Sequence, residues 1–344
     1  MITKTQIKEF RKYLKKSENP LFFYDDDPDG LCSYLILKKY INKGKGAILR
    51  TTSVLDLNMY HKVEEYSPDL IIALDIPIID QEFINKANVP ILWLDHHTPL
   101  KRKGVHYFNP KLKNKKAEIP TTHWAYEIAE ENDLFLATLG NISDWNYPKY
   151  AKDFSEKYPD ILPKKTKTAP EAIFTSKLGE LINLLAFSLK KPTSKINKMV
   201  NLLLKIEDPY ELLKGETPRS KFIHREVKSL LTEYNEMIDY VKKQKPKKGK
   251  LFLVELPKVK NSYSSLISNY LIYKYPKKVV IVSRRKTDSV TMSIRSAGTN
   301  VREALEKSLE GLNGFGGGHD NACGAGINKD QYEEFIRKFN ENIK

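Results

Sequence analysis

The sequence predicts an α/β protein in three parts: an N-terminal domain on a parallel sheet, a helical connector, and a smaller C-terminal α/β domain. Three observations predict it. In residues 1–155, short continuous apolar runs alternate with helix-sized segments, the pattern of strands buried on both faces. In residues 156–249, apolar residues recur at helical spacing instead. In residues 250–344, strand and helix patterns alternate again. At 344 residues the chain exceeds the size at which a single core stops growing, so two lobes are expected.

Within the first part, residues 21–24, 70–74 and 91–94 read as buried strands. Each ends directly in acidic or histidine residues, and open α/β sheets bind ligands at the carboxyl ends of their strands. Residues 164–169 form a basic, proline-bounded loop. The stripe Phe222, Ile223, Val227, Leu230, Leu231, Tyr234, Met237, Ile238 and Val241 has helical spacing and reads as core packing. Six lysines between 242 and 250, around Pro246 and Gly249, read as a solvated linker. Beyond it come strands at 251–256, 279–283 and 290–294, a helix at 266–275, and a glycine-rich turn at 314–318.

Hydrophobic residues at 40% and charged residues at 29% belong to an ordered, soluble protein and exclude a disordered one. The net charge of +15 suits a polyanionic partner, although a lysine-rich composition alone gives the same surplus. Only Cys32 and Cys323 are present, which excludes a disulfide framework and a cysteine zinc site and fits a reducing compartment. The charged start MITKTQIKEFRKYLKK has no apolar stretch of signal-peptide length. No run approaches the roughly 18 apolar residues of a membrane span. A cytoplasmic protein without a membrane partner is expected.

The chemistry gathers at the strand ends. Asp25-Asp26-Asp27-Pro28-Asp29-Gly30 follows the first strand, and four carboxylates in five residues repel one another unless a cation neutralises them. Hard divalent ions do so with oxygen ligands; an acidic surface turn would use the same residue types. Asp75 ends the second strand, Asp95-His96-His97 ends the third, and Asp144 follows the apolar segment 134–139. Carboxylates joined by imidazole suit Mn²⁺, with Mg²⁺ the alternative, and two such ions about 3.5–4 Å apart clamp a phosphoryl group during hydrolysis.

This ordered set, Asp-x-Asp-x-Asp-Gly, a single Asp, Asp-His-His and a later Asp, resembles the DHH phosphoesterase superfamily. Gly316-Gly317-Gly318-His319-Asp320-Asn321-Ala322-Cys323-Gly324-Ala325-Gly326, with Ser293-Ile294-Arg295-Ser296 before it, resembles the DHHA1 subtype. Archaeal RecJ-like exonucleases and nanoRNases are the most similar branches. The resemblance implies that Asp27, Asp29, Asp75, His96 and Asp144 are metal ligands, with Asp75 bridging two ions and Asp25 an additional ligand. It places His97 against the phosphate or in support of the site, and has Asp95 orient a histidine. Asp26 falls on a variable position, and Cys323 stands where alanine is common. Arg295, Ser296, Gly317, Gly318 and His319 would bind substrate. The glycines let backbone N–H groups approach a phosphate, and Arg295 offers it a pair of parallel hydrogen bonds.

The resemblance therefore implies a single-strand exonuclease, on DNA or RNA, with a cleft between the two α/β lobes admitting one strand, releasing nucleoside 5′-monophosphates by attack of a water activated between two metal ions. DNA repair is the corresponding cellular role. A nanoRNase acting on dinucleotides, or a non-catalytic scaffold in a replication complex, is the alternative; replication proteins and a second copy of the chain are the expected protein partners. Pro120-Thr121-Thr122 reads as a helix N-terminus. Trp145 and Tyr147 could stack bases, but core packing is the expected role. His61, His106, His123 and His224 have no motif partners and no assigned function.

Overall fold

A computed structural model describes residues 1–50 and 54–343. The chain forms two compact units, Met1–Val227 and Lys228–Lys344.

The first unit is built on a five-stranded sheet, all parallel, in the order Lys45–Ile48, Pro20–Tyr24, Leu70–Leu74, Ile91–Leu94, His106–Phe108. The three expected strands are its centre and are buried along their whole length. The two edge strands were not expected. A short parallel pair, Val54–Leu55 with Ile78–Ile79, lies apart from the sheet. One face buries Leu21, Phe23, Ile71, Ala73 and Trp93 against Phe83.

Pro20–Tyr24 has the following strand on one side and the next on the other, so the chain reverses its direction of travel across the sheet there. In such sheets the crevice opens at the carboxyl ends of the strands flanking the reversal. Those ends carry Asp25 and Asp75. The helix Pro28–Ile41 leaves the first strand, is buried from Asp29 to Leu37, and packs against the helices Thr121–Ile128 and Leu134–Ser143. This places Asp27, Thr121 and Asp144, at the ends of three helices, around one point.

The long helix Pro218–Lys242 carries the expected apolar stripe, with Ile223, Val227, Leu230, Tyr234, Met237 and Val241 buried. In the second unit a mixed sheet runs in the order Gly314–His319, Ala322–Asn328, Ser289–Ser296, Val279–Arg285, Leu251–Glu255, with only the last pair parallel. Its inner face buries Ile281, Val290, Met292 and Ile294 against Phe335 and Phe339. On the other face Ser268 of the helix Ser264–Lys274 meets Ser293 at 2.9 Å.

The glycine-rich segment corrects the sequence reading. It is an edge strand, exposed along its length, and the turn falls after it at residues 320–321. Glycine weakens a strand because it has no side chain to pack, but pairing with Ala322–Asn328 uses only the backbone. Among the described residues, no helix is long and apolar enough to cross a membrane. Both cysteines are free and buried.

Candidate metal centre

The first strand ends at Tyr24, and the acidic loop turns at once into a helix. Asp27 caps that helix, its carboxylate accepting the Gly30 N–H at 2.8 Å, and Pro28 occupies the first turn, where a missing N–H does no harm. A Cβ on Gly30 would lie 2.8 Å from the Asp25 backbone nitrogen, so glycine is what lets the helix start against the loop. Asp29 is buried and is held by the start of a second helix: the N–H groups of Thr122 and Thr121 donate to its two oxygens at 2.8 and 2.9 Å. These are orphan donors of a helix N-terminus, which favour an anion.

Asp75 follows the strand Leu70–Leu74 with φ of 60°, a left-handed conformation that Asp tolerates better than most residues. Its N–H donates to Leu94 O at 2.9 Å, and its carboxylate accepts the Thr121 hydroxyl at 3.0 Å. His96 turns Nε2 toward three carboxylates: Asp75 at 3.3 Å, Asp144 at 3.7 Å and Asp29 at 3.9 Å. Asp144 arrives from the end of the helix Leu134–Ser143. Three overlapping donor groups result: Asp25, Asp27 and Asp75; Asp29, His96 and Asp144; and Asp75, His96 and His97. Within each the donor atoms lie within 4.8 Å of one another, and Asp75 belongs to two.

Electrostatics favours a cation here. Burial raises the pKa of Asp27, Asp29, Asp75 and Asp144, and for Asp27, Asp75 and Asp144 the charges of their neighbours raise it further. Asp25 is pushed up to about 7 by burial and then by Asp27. Burial, with help from His97, lowers His96 to about 4, so its imidazole is neutral and able to coordinate. Among the described residues, its buried Nδ1 has no hydrogen-bond partner. Crowded carboxylate oxygens beside a neutral imidazole nitrogen fit a hard or borderline divalent ion.

Asp95 stands behind the cluster, fully buried. It accepts His97 Nδ1 at 2.7 Å, the Tyr107 hydroxyl at 3.0 Å and Asn109 Nδ2 at 3.0 Å. Burial alone would depress His97, but the hydrogen bond and charge of Asp95 outweigh it and raise the pKa. Asp95 thus orients His97. Thr121, Thr122, Tyr107 and Asn109 were not anticipated. In the sequence the threonines look mainly like a helix start, and their spacing from Asp29 and Asp75 gives no sign of these bonds. Trp145 corrects the expectation of core packing: it is 40% exposed, with φ of 62°. Tyr147 is partly buried, its hydroxyl donating to Thr166 O at 2.9 Å.

In the second unit, Arg295, Gly317, Gly318 and His319 line one pocket of about 410 Å³ together with Ser265 and Ser293. Four of the five guanidinium N–H groups of Arg295 are engaged: with Asn269 Oδ1 at 2.8 Å, Ser265 Oγ at 2.9 Å, and the carbonyls of Ile294 at 2.9 Å and Cys323 at 3.3 Å. All are neutral acceptors. Ser296 is buried outside that pocket, accepting the N–H groups of Gly298 and Thr299.

Comparison with known proteins agrees with the geometry. A model of the N-terminal domain of the DHH family matches residues 21–153, and a model of the DHHA1 domain matches residues 248–344. Comparison with curated proteins found no match. Among solved structures, RecJ from Thermus thermophilus in complex with Mn²⁺ superposes with a TM-score of 0.68 at 17% identity. The match covers 99% of this chain and 55% of RecJ, so the chain spans about half that protein's length. An exonuclease RecJ bound to manganese gives 0.63 at 17% identity, over 99% of this chain and 94% of that one. A pGpG-specific phosphodiesterase from Vibrio cholerae gives 0.53 at 13% identity, covering 95% and 99%. Two family matches in the order of the sequence motifs, over a fold shared along nearly the whole chain, identify the protein as a member of the DHH family with a C-terminal DHHA1 domain.

Proposed function

We propose that the chain is a metal-dependent phosphodiesterase of the RecJ-like kind, hydrolysing single-stranded DNA or RNA to nucleoside 5′-monophosphates. The convergence of Asp25, Asp27, Asp29, Asp75, His96, His97 and Asp144 carries this reading: the Asp75 carboxylate, with two oxygens, is common to two of their donor groups, which suits a two-ion site. Divalent ions held there, Mn²⁺ or Mg²⁺, would supply a water acidic enough to attack phosphorus near neutral pH and would offset charge on the phosphate oxygens. Asp75 is the proposed bridge, and Asp29 is fixed for its part by the two N–H groups of Thr121 and Thr122. His97, oriented by Asp95 and with its pKa raised, is suited to donate a hydrogen bond to a phosphate oxygen.

Arg295 supports an anionic substrate in the second unit. Burial lowers its pKa, and the hydrogen-bond acceptors around it are neutral. A half-buried cation without a counter-charge is stabilised by an incoming phosphate. Because most of its donors are engaged, it would act chiefly through charge and one remaining N–H, rather than a paired grip. Gly317, Gly318 and His319 complete the proposed phosphate pocket; Ser296 has a structural role. The net charge of +15 favours a polyanion and implies salt-sensitive binding.

The similarity to the pGpG-specific phosphodiesterase, which extends along that protein's full length, favours a second reading: hydrolysis of very short oligonucleotides. The test is incubation with Mn²⁺ and end-labelled single strands of DNA and RNA, from dinucleotides to long oligomers, beside Asp75→Asn and His96→Ala. Metal-dependent release of mononucleotides from long strands, lost in both variants, is expected. Cleavage of dinucleotides alone would establish the second reading, and no cleavage of any strand would refute both.

A further inference from the structure

The chain has three tryptophans, and the structure treats one of them differently. Trp93 and Trp124 are buried, 0% and 2% exposed, whereas Trp145 is 40% exposed and directly follows Asp144 of the carboxylate cluster. Its φ of 62° is a conformation that a bulky side chain rarely adopts and that glycine or asparagine would accept readily. The surrounding backbone imposes it. Trp145 N–H donates to Ile142 O at 3.1 Å, and Asn146 N–H donates to Asn141 O at 3.0 Å. Asn146 Nδ2 donates to Asn141 Oδ1 at 2.9 Å, and the buried Asn141 in turn donates to the Tyr150 hydroxyl at 2.8 Å. This tight turn after the helix throws the indole outward instead of folding it into the core. Phe174 meets the ring nearly at a right angle, 71°, with centroids 6.3 Å apart, bracing it while leaving much of it open.

We propose that Trp145 is a base-stacking platform, on which rests the nucleobase of the nucleotide whose phosphate lies at the carboxylate cluster. The proposal rests on the nucleic-acid reading above and adds to it a subsite for the base. Adjacent Cα atoms are about 3.8 Å apart, so a side chain that follows Asp144 in sequence reaches the neighbourhood of a phosphate bound there. An indole braced at its edge and open to solvent offers a flat π-surface at small loss of side-chain freedom. Every base has a matching face, so such a platform grips any sequence. It would make the enzyme select nucleotides over sugar phosphates that lack a base, a distinction the cluster itself cannot make.

Tryptophan fluorescence isolates the site, because the other two indoles are buried. The full-length protein with Mn²⁺ is titrated with AMP and with ribose 5-phosphate, beside Trp145→Phe. Strong quenching by AMP, little by ribose 5-phosphate, and loss of the response in Trp145→Phe are expected. In cleavage of single-stranded oligomers, Trp145→Ala should raise KM on the order of tenfold, with kcat falling by less, and Trp145→Tyr should restore most of it. An oligomer with an abasic terminal nucleotide should be cut equally by wild type and Trp145→Ala. Equal quenching by AMP and ribose 5-phosphate, or an unaltered KM in Trp145→Ala while wild type cuts normally, overturns the platform alone. A wild-type protein that cuts no oligonucleotide overturns the nuclease reading and the platform with it.

Discussion

Thr121 ties two buried carboxylates together: its hydroxyl donates to Asp75 at 3.0 Å and its backbone N–H to Asp29 at 2.9 Å. Asp75 follows a strand and Asp29 lies in the first turn of a helix, and one residue at the start of a second helix sets their separation. Partners behind metal ligands typically change metal affinity or activity by about 10–100-fold when removed. Thr121→Val, which keeps the shape and the N–H but loses the hydroxyl, should shift the Mn²⁺ dependence of activity to concentrations higher by about that factor. Saturating Mn²⁺ should recover much of the rate, and Thr121→Ser should behave as wild type. A Mn²⁺ titration with identical midpoints for Thr121→Val and wild type would remove Thr121 from this role.

The acidic cluster makes the metal-free protein sensitive to rising pH. Asp25 has a pKa of about 7 in the fold against 3.8 when free. Between those values the folded state holds more protons than the unfolded one, so stability falls as pH rises from about 4 through about 7. Asp27, Asp29, Asp75 and Asp144 shift in the same direction. A bound divalent ion competes with those protons, and its stabilising effect should therefore grow with pH. Thermal unfolding in EDTA should give a Tm that declines across this window, and added Mn²⁺ should raise Tm more at pH 8 than at pH 5. A Mn²⁺ effect independent of pH would mean that the ion does not displace these protons.

Arg295 should report anion binding independently of catalysis. Inorganic phosphate or sulfate at about 100 times its Kd would stabilise the fold by about 2.7 kcal/mol. Differential scanning calorimetry should show this rise in wild type and little or none in Arg295→Gln. Loss of a charged hydrogen bond, about 1.5–3 kcal/mol, should also raise KM for oligonucleotides by roughly tenfold or more. Equal anion responses in the two proteins would place the anion elsewhere.

Gly317 and Gly318 are neighbours with opposite constraints. A Cβ at Gly317 meets nothing within 4 Å, whereas at Gly318, with φ of 142°, it would lie 2.3 Å from Ala322 O. Gly318→Ala should destabilise the second unit by about 1–3 kcal/mol. Gly317→Ala should leave stability within about 0.5 kcal/mol of wild type and raise KM by obstructing the backbone's approach to a phosphate. A lowered Tm with normal KM in Gly317→Ala would reverse this assignment.

What the sequence disclosed follows from what each part must bury. The strands at Pro20–Tyr24, Leu70–Leu74 and Ile91–Leu94 are central and covered on both faces, so they are continuous apolar runs and could be read directly. Lys45–Ile48 and His106–Phe108 lie at the edges, are short and carry mixed residues, so neither periodicity nor composition marks them. The polar residues of the cluster stood out because charge at the end of a buried strand is conspicuous. Thr121, Tyr107 and Asn109 did not, since hydroxyl and amide groups are ordinary anywhere and their value lies in contacts made across the fold. Trp145 went the other way: aromatic residues are usually buried, and only the left-handed turn exposes this one.

At Asp75 a single residue satisfies two demands of different kinds. The carboxylate answers to the proposed chemistry, and the backbone, with φ of 60°, answers to the geometry of the turn. Few side chains meet the second demand; asparagine and glycine are the main ones besides aspartate. The routes by which such a chain could lose the proposed activity and keep its shape are therefore narrow. A relative that had become a passive structural subunit would be expected to carry Asn or Gly at this place. One carrying a β-branched or bulky residue would have had to rebuild the turn as well. The identity of this residue is thus a marker for telling working members of the fold from retired ones.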